Sequence, residues 1–253
     1  LEFRRVLFRS QGIGAATCRA LKGLGARLLC VDSDLERDET IAREVGGNYV
    51  IADVTKRGDV ERIFAQADKL FGASFSGVVD IVGAARSGPL SSVDDAVWDW
   101  QFDIVLRHAF LTIQIGGEAL AKRGGGAIAF IGSLSGLQSI PGQAIYGTAK
   151  AALHHLVETS AHEFGPRNVR INAVAPGFVR TPRLNMMLSE ENWKQIGALI
   201  PVGAAADPSE IAAAILFLSS DLASHVTGHT LLADGGVAGV VPLPNLAITE
   251  KPA

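Results

Sequence analysis

The chain has 253 residues, a length that suits one α/β domain with a sizeable core. Hydrophobic residues make up 48% of the chain and charged residues 19%, which excludes a disordered protein. The net charge is −3 and no run of Lys or Arg forms a basic stripe, which argues against a nucleic-acid partner. We therefore expect a small-molecule ligand.

The cysteine and apolar patterns indicate the compartment. Cys18 and Cys30 lie inside apolar segments and belong to no CxxC motif, which is typical of buried structural thiols in a reducing environment. No histidine group has metal-ligand spacing, so we expect no metal. No apolar run approaches the roughly 18 residues of a membrane span, and the N-terminus lacks the apolar core of a signal peptide. The sequence predicts a cytoplasmic protein without a membrane partner.

Short runs rich in Val, Ile and Leu alternate with segments of helical periodicity. The apolar runs predict strands at 26–32, 48–53, 77–83, 126–132, 169–177 and 229–236. The periodic segments predict helices at 13–24, 35–45, 57–70, about 94–122, 144–165 and 208–219. This alternation predicts an α/β fold with a Rossmann-type, doubly wound parallel sheet of about seven strands and helices on both faces. A ligand is then expected at the carboxyl ends of the strands.

The stretch LFRSQGIGAATCRAL, residues 7–21, contains a glycine turn at the start of the first predicted helix. Gly12 and Gly14, with Ile13 between them, leave bare backbone where a pyrophosphate can approach N–H groups and the positive end of the helix dipole. A lone Gly-x-Gly is weak evidence, because it also suits a tight helix turn without a ligand. We count these three residues as candidate cofactor-binding residues.

Two carboxylates follow predicted strands near this turn. Asp32 lies about 20 residues after the glycines, where a carboxylate accepts both hydroxyls of an adenosine ribose and repels a 2′-phosphate. This favours NAD over NADP, with a solvated aspartate at a strand end as the alternative. Asp53, followed by Val54, comes after the next strand. Its carboxylate either meets the adenine edge or caps the helix that begins near Thr55.

The residues that carry chemistry lie in FIGSLSGLQSIPGQAIYGTAKAAL, residues 130–153. Tyr146 and Lys150 are four residues apart on a predicted helix and share one face, and Ser133 ends the preceding strand. A phenol has a pKa near 10 and is a poor base at neutral pH, but a cation about 4 Å away lowers that pKa. Ser133 would hold a substrate oxygen while Tyr146 takes its proton, and Lys150 also suits a nicotinamide ribose. An exposed Tyr/Lys pair beside an unrelated serine is the alternative.

Serine followed by Tyr-x-x-x-Lys at this spacing resembles the catalytic motif of the short-chain dehydrogenase/reductase family. The segment INAVAPGFVRTP, residues 171–182, resembles the family's segment after the sixth strand. The resemblance covers about residues 11–236 and implies hydride transfer between a nicotinamide and a secondary alcohol or ketone. It also implies that the nicotinamide is lined by Pro176, Gly177, Val179 and Thr181.

Residues 1–10 depart from the family, which begins with a strand followed by Thr-Gly-x-x-x-Gly-x-Gly. Leu7 stands at the threonine position and Phe8 at the first glycine position, where the backbone should approach the cofactor. We therefore expect LEFRRVLFRS to be a non-native cloning or assembly remnant that replaced the first strand. The alternative is that RRVLF still pairs as the central strand.

Two further departures lie downstream. Residues 80–82 read Asp-Ile-Val where the family has Asn-Asn-Ala, directly before Gly83, which we assign to the cofactor site. Because those asparagines support the sheet, the change puts the geometry of the cofactor pocket in question. Val105 stands where the family has a helix asparagine that holds a proton-relay water, which valine cannot do. Either the relay runs through another group or turnover is slow.

Other residues have structural interpretations. His154 and His155 are predicted to point away from the catalytic face, toward the surface or a subunit contact. Leu184 and the following methionines lie in a segment that resembles the family's substrate lid, where flexible apolar side chains close over a hydrophobic substrate. An ordinary amphipathic helix is the alternative. In the family, the fourth and fifth helices pair across subunits, which implies a homodimer or homotetramer.

These features divide the chain into a remnant at 1–10, one Rossmann-type oxidoreductase domain at 11–240 and a C-terminal tail at 241–253. The first hypothesis is an NAD-dependent oxidoreductase with Tyr146 as acid/base, Ser133 orienting the substrate oxygen and Lys150 tuning Tyr146. The second is a catalytically silent dinucleotide-binding or scaffold protein, motivated by Phe8, Val105 and the missing asparagines.

Overall fold

The computed structural model describes residues 4–8 as backbone and residues 11–239 in full. Within these ranges, parallel strands form one seven-stranded sheet. The strands are β1 (Arg4–Phe8), β2 (Arg27–Asp32), β3 (Asn48–Ile51), β4 (Gly77–Asp80), β5 (Gly126–Ile131), β6 (Val169–Pro176) and β7 (Thr230–Ala233). In the order β3-β2-β1-β4-β5-β6-β7, β2 and β3 lie on one side of β1, and the order then reverses so that β4 to β7 lie on its other side. Such a reversal opens a crevice at the carboxyl ends of the strands.

Helices cover both faces of this sheet. They are α1 (Ile13–Gly23), α2 (Leu35–Val45), α3 (Arg57–Phe71), α4 (Asp95–Phe102), α5 (His108–Leu111), α6 (Gly117–Ala121), α7 (Ala144–Phe164), α8 (Pro182–Met187), α9 (Glu190–Ala198) and α10 (Pro208–Ser219). The π-helical segments Asp103–Arg107 and Thr112–Gly116 join α4, α5 and α6 into the long helix predicted at 94–122. Among the described residues, no helix has both the length and the apolar character needed to cross a membrane.

Alternate side chains of strand β2 belong to two core clusters, one on each face of the sheet. Leu29 and Val31 belong to a cluster that includes residues of α3, α6 and α7. Leu28 and Cys30 belong to a second cluster, which includes residues of α1, α2 and α10. All four side chains are buried, as expected for a parallel sheet covered on both sides. The predicted α/β fold of the Rossmann type is confirmed.

The segment Arg4–Phe8 is an interior strand of the sheet, third in the order of seven. Val6 pairs with Leu29 of β2 on one side and with Val78 of β4 on the other. The alternative interpretation, in which RRVLF pairs as the central strand, is therefore the one that the structure shows. The origin of residues 1–10 as a remnant stays a prediction. The Phe8 side chain and the predicted tail at 241–253 lie outside the described residues.

The two cysteines face each other between α1 and β2. Cys18 and Cys30 are fully buried, and their Sγ atoms lie 3.9 Å apart without a disulfide. The hydrogen bond with Cys30, together with burial, raises the pKa of the Cys18 thiol well above its usual value. A thiol held in the protonated form is a poor nucleophile. Both cysteines are buried and free, as predicted for structural thiols.

Helix α10 begins where the sequence predicts. The Oδ1 atom of Asp207 accepts a hydrogen bond from the amide of Ser209 at 2.8 Å, and Oε2 of Glu210 accepts one from the amide of Asp207 at 2.8 Å. This capping box, with Pro208 in the first turn, satisfies N–H groups that the helix leaves unpaired.

Candidate active site

A cavity of about 370 Å³ opens at the carboxyl-terminal edge of the sheet, near the point where the strand order reverses. Its walls come from the segments that follow β1, β4, β5 and β6 and from the first turns of α7 and α8. Most of the residues predicted to bind cofactor or substrate meet here. They are Gly12, Ile13, Gly83, Ser133, Tyr146, Lys150, Pro176, Gly177, Val179 and Thr181.

Four predicted residues do not line this cavity: Gly14, Asp32, Asp53 and Val54. Gly14 is buried inside α1, and Val54 is buried after β3. Asp32 is half-buried at the carboxyl end of β2, and its Oδ1 accepts a hydrogen bond from the amide of Asp34 at 3.2 Å. It therefore lies at the same edge of the sheet, on the strand next to β1.

Asp53 organises the turn before α3. Its Oδ1 accepts hydrogen bonds from the amide and hydroxyl of Thr55, at 3.1 and 2.6 Å, and its Oδ2 lies 3.2 Å from Lys56 Nζ. Burial favours the neutral acid, but the bonds from Thr55 and Lys56 outweigh burial and lower the pKa of Asp53. The sequence predicts either a contact with the adenine edge or a cap on the helix near Thr55. The helix begins only at Arg57 and has no side-chain cap, so Asp53 closes the turn before α3 instead of capping the helix. The adenine contact stays a prediction.

Gly12 precedes α1 in a conformation that favours glycine, with φ of 52°. A Cβ atom at this position would lie 3.3 Å from Cγ2 of Thr181. No side chain caps the helix, so the first turn of α1 presents bare backbone at the cavity. Because N–H groups at a helix start and the helix dipole both favour an anion, this end of the cavity fits a diphosphate.

Ser133 is held at both its backbone and its hydroxyl directly after β5. Its Oγ accepts a hydrogen bond from the amide of Ser135 at 3.1 Å, which starts a short 3₁₀ turn over Leu134–Gly136. Its own amide donates to Nε2 of His154 at 3.3 Å. The serine hydroxyl therefore has a defined position in the cavity wall.

Tyr146 and Lys150 occupy consecutive turns of α7 on the face that lines the cavity. Lys150 is only 1% exposed, and its Nζ donates a hydrogen bond to the carbonyl oxygen of Ile131 at 2.6 Å. The same Nζ lies 5.9 Å from the centre of the Tyr146 ring. A Cβ at Gly83 would lie 3.2 Å from Nζ, so glycine there lets the loop after β4 approach the ammonium closely. The arrangement keeps a buried cation beside a tyrosine.

The loop after β4 is anchored by a buried carboxylate that the sequence marked only as a departure. Asp80 accepts hydrogen bonds from Nδ1 of His108 at 2.9 Å, from Oγ1 of Thr112 at 3.0 Å and from the amide of Val82 at 3.1 Å. Asp80, His108 and Thr112 are at most 1% exposed. This cluster joins the end of β4 to the long helix, where the family pattern would place asparagines.

Gln101 is a second anchor of this loop that sequence reasoning missed. It is fully buried, its Oε1 accepts from the amide of Arg86 at 2.9 Å, and its Nε2 donates to the carbonyl of Ala84 at 2.8 Å. The Arg86 guanidinium lies 4.2 Å from the centre of the Trp100 ring. A glutamine in a helix carries no sequence signal for such a role.

Val105 lies in the π-helical segment Asp103–Arg107 and is fully buried. Its side chain offers no polar atom and is not part of the cavity wall. The structure therefore places no hydrogen-bonding side chain at the position where the family pattern has its relay asparagine.

The residues predicted to form a lid lie in α8, beside the cavity. Leu184 and Met187 line the cavity, together with Arg183, whereas Met186 is 83% exposed. Sequence reasoning missed several other residues of the wall, because loop residues after strands carry no periodic signal. Those missed residues include Ala84, Ala85, Ser87, Leu134, Ile140, Gln143 and Phe178.

The prediction for the two neighbouring histidines of α7 is wrong for one of them. His155 is exposed, as predicted. His154 is only 8% exposed and packs against the turn that follows β5. Positions 146, 150 and 154 are spaced by four residues and therefore share one helix face, which was the available signal.

Comparison with known proteins identifies the family of the chain. A family model described as "Enoyl-(Acyl carrier protein) reductase" matches residues 8–238. Galactitol 2-dehydrogenase (L-tagatose-forming) of Cereibacter sphaeroides is 37% identical over 231 residues, which cover 89% of this chain and 90% of that protein. The 3-oxoacyl-(acyl-carrier-protein) reductase FabG of Thermotoga maritima is 30% identical over 233 residues, which cover 90% and 94% respectively.

A solved structure described as a short chain dehydrogenase/reductase family protein has a TM-score of 0.84 at 32% identity, covering 93% of this chain and 97% of that one. The chain belongs to the short-chain dehydrogenase/reductase family. It is thus related to dehydrogenases and reductases, and its family binds a nicotinamide dinucleotide.

Proposed function

We propose that this protein is an NAD-dependent oxidoreductase that interconverts a secondary alcohol and a ketone. The observation that carries the proposal is the presence of Ser133, Tyr146 and Lys150 in one cavity, with the Lys150 ammonium buried beside the tyrosine. In this proposal Tyr146 exchanges a proton with the substrate oxygen, and Ser133 donates a hydrogen bond that orients that oxygen. Lys150 places positive charge next to Tyr146, which favours its deprotonated form.

The cofactor supplies the hydride donor or acceptor when it is bound. Its diphosphate would contact the bare backbone at Gly12 and Ile13, and its nicotinamide ring would lie along Pro176, Gly177, Val179 and Thr181. We propose NAD rather than NADP because Asp32 ends the strand next to β1, where a carboxylate binds ribose hydroxyls and repels a 2′-phosphate. The proposed cofactor site also includes Gly83, which lines the cavity, and Gly14, Asp53 and Val54, which lie outside its wall.

The wall of the cavity is mostly apolar. Ile81, Leu134 and Phe178 line it together with Met187 of the proposed lid. Apolar walls favour a hydrophobic substrate, so we propose an alcohol or ketone with apolar substituents. One relative is named as a galactitol dehydrogenase, which makes a polyol the natural competitor in a substrate test.

We also propose that the protein is a cytoplasmic homodimer or homotetramer that binds neither nucleic acid nor membranes. The net charge of −3 supports the absence of a nucleic-acid partner. Sedimentation velocity at micromolar concentration tests the assembly, and a monomer at all concentrations would contradict it.

The first experiment titrates the purified chain with NADH and, separately, with NADPH by nucleotide fluorescence. We expect saturable binding with NADH preferred. A panel containing 2-octanol, cyclohexanol and galactitol then tests NAD⁺-dependent oxidation. Tyr146→Phe should lower kcat by at least about 100-fold, because it removes only the acid/base hydroxyl.

Tyr49→Phe is the matched control, because Tyr49 is the other of the two tyrosines and lies on β3, away from the cavity wall. Equal activity of Tyr146→Phe and Tyr49→Phe would contradict the proposed role of Tyr146.

The second candidate is a catalytically silent dinucleotide-binding protein. The observation in its favour is the buried Val105 at the position of the family's relay asparagine. Tight NADH binding without turnover of any substrate in the panel, and with a response only to an added protein partner, would favour this candidate.

A further inference from the structure

His154 lies one helical turn after Lys150 and contacts the backbone amide of the proposed catalytic serine. Its Nε2 is 3.3 Å from the amide nitrogen of Ser133, with the amide as donor. Its Nδ1 has no hydrogen-bond partner among the described residues. The bond with Ser133 is therefore the one hydrogen bond that the ring makes in the described part of the chain.

Two glycines leave the space that this ring occupies. A Cβ atom at Gly132 would lie 2.4 Å from Nε2 of His154, and a Cβ at Gly136 would lie 2.7 Å from its Cε1. Real side chains do not approach so closely, so position 132 needs glycine as long as the histidine ring is there. At position 136 the backbone of Lys150 and Ala151, 2.8 and 2.9 Å from the same Cβ, requires glycine as well. Glycines directly before and three residues after Ser133 thus bring the turn onto the ring.

The ring is in the chemical form that this contact requires. Burial, and secondarily the Lys150 ammonium, lower the pKa of His154 to about 4. Gly132, Ser133 and Gly136, which also contact the ring, carry no charge. At neutral pH the imidazole is therefore neutral, with a lone pair on Nε2 that accepts the Ser133 amide.

We propose that His154 is a positioning residue that fixes the backbone of Ser133, and through it the substrate-orienting hydroxyl. The inference rests on the proposed function of Ser133 but concerns a residue outside the Ser-Tyr-Lys motif. The Ser133 amide is held by His154 and the Ser133 hydroxyl accepts from Ser135, so the residue is held at two points. Loss of the first contact frees the turn to rotate about the second, and small misplacements of a reacting group are costly.

The test compares three variants at His154 with one at His155. His154→Leu fills the space but removes the acceptor, and His154→Asn keeps a polar group that is too short to reach. His154→Gln places an amide oxygen near the position of Nε2 and should restore the hydrogen bond from the Ser133 amide. His155→Leu is the control, because it makes the same change one residue along the same helix at a side chain that is 80% exposed.

The first readout is hydrogen exchange of the Ser133 amide with residue resolution, which needs no substrate. We expect exchange to accelerate at least about tenfold in His154→Leu and His154→Asn, and to stay within about threefold of wild type in His154→Gln and His155→Leu. If His154→Leu does not fold, the test is the comparison of His154→Asn with His154→Gln. Equal exchange rates of the Ser133 amide in these two variants would overturn the proposal.

The second readout is steady-state kinetics with whichever alcohol of the panel turns over. We expect kcat to fall about tenfold or more in His154→Leu and His154→Asn, with the KM for NAD⁺ unchanged and with recovery in His154→Gln. A structural role alone would not separate kcat from KM or be rescued by glutamine. Accelerated exchange with unchanged kcat would overturn the positioning role. If wild type turns over nothing, the proposed function fails, while the exchange experiment still decides the contact.

Discussion

His108 and Asp80 form a buried pair in which Nδ1 of the imidazole lies 2.9 Å from Oδ2 of the carboxylate, with side-chain exposures of 1% and 0%. A carboxylate withdrawn from water is stable only when donors surround it, and Asp80 receives three. This pair links β4 to the long helix that follows it, at the floor of the loop that lines the cavity. The family-typical asparagines have therefore been replaced by another hydrogen-bonded anchor.

Removing the imidazole should be strongly destabilising. We expect His108→Leu to lower the free energy of unfolding by about 3 kcal/mol, because it leaves a buried carboxylate with one donor fewer. In the Asp80→Asn background the same change should cost only about 1 kcal/mol, because no buried charge is left uncompensated. Urea unfolding of the four proteins measures both costs, and equal costs would mean that the two side chains are not coupled.

Replacing Asp32 should change the cofactor preference. In Asp32→Ser we expect the ratio of NADPH to NADH affinity to rise about tenfold or more, because the carboxylate no longer repels the 2′-phosphate. Asp34→Ser is the control, since it also removes one carboxylate from this turn while serine can still cap α2. Nucleotide fluorescence measures both affinities. The same ratio in both variants would assign the preference to overall charge rather than to Asp32.

Gly12→Ala should weaken cofactor binding as well as lower the stability of the fold. The backbone at Gly12 has φ of 52°, and the new Cβ would lie 3.3 Å from Thr181. Gly25→Ala is the matched control, with φ of 78° and no atom within 4 Å of its Cβ. We expect both variants to lose about 1 kcal/mol of stability, since alanine disfavours a positive φ. Only Gly12→Ala should bind NADH more weakly, and an equal loss in Gly25→Ala would contradict the proposed diphosphate site.

The depressed pKa of His154 should appear as acid sensitivity. Between its usual pKa of 6.5 and its folded-state pKa of about 4, the unfolded chain binds a proton here that the folded chain does not. Stability should therefore fall by about 3 kcal/mol as the pH drops through this window. Above pH 7 this residue should have no effect on the pH dependence of stability.

His154→Gln should reduce that fall, whereas His155→Gln at the exposed neighbour should leave it unchanged. Chemical denaturation at pH 7, 5.5 and 4.5 measures the difference between the variants. Identical pH dependence in wild type and His154→Gln would show that the ring does not titrate in this way.

The sequence predicts the fold well because hydrophobic periodicity is a local property. The strands β2 to β7 and the helices α1, α2, α3, α7 and α10 lie within a few residues of their predicted positions. Strand β1 is the element that the sequence predicts least well, because its composition resembles neither a typical buried strand nor the family pattern. Its position follows from pairing with β2 and β4, which no local pattern encodes.

The residues of the candidate site also fall into two groups, those that a local sequence pattern predicts and those that only the three-dimensional structure shows. Ser133, Tyr146 and Lys150 were found because a spacing within one segment defines them, and the structure brings them to one cavity. Gln101 and His108 act across the gap between the long helix and the loop after β4, so only the three-dimensional structure shows what they touch. The prediction for His154 was wrong for a related reason, since its contact, Ser133, lies in the turn between β5 and α7 rather than on its own helix.

The strand order has a consequence for the route by which the chain folds. β1 precedes the other described elements in the chain, yet one of its two neighbours, β4, is made only after two complete strand–helix units have followed. Until then its second edge has no partner, and an unpaired edge in a nascent chain is a site of misassociation. The closing of β4 onto β1 joins the two halves of the sheet, so we expect a late, non-local step of this kind to limit the folding rate.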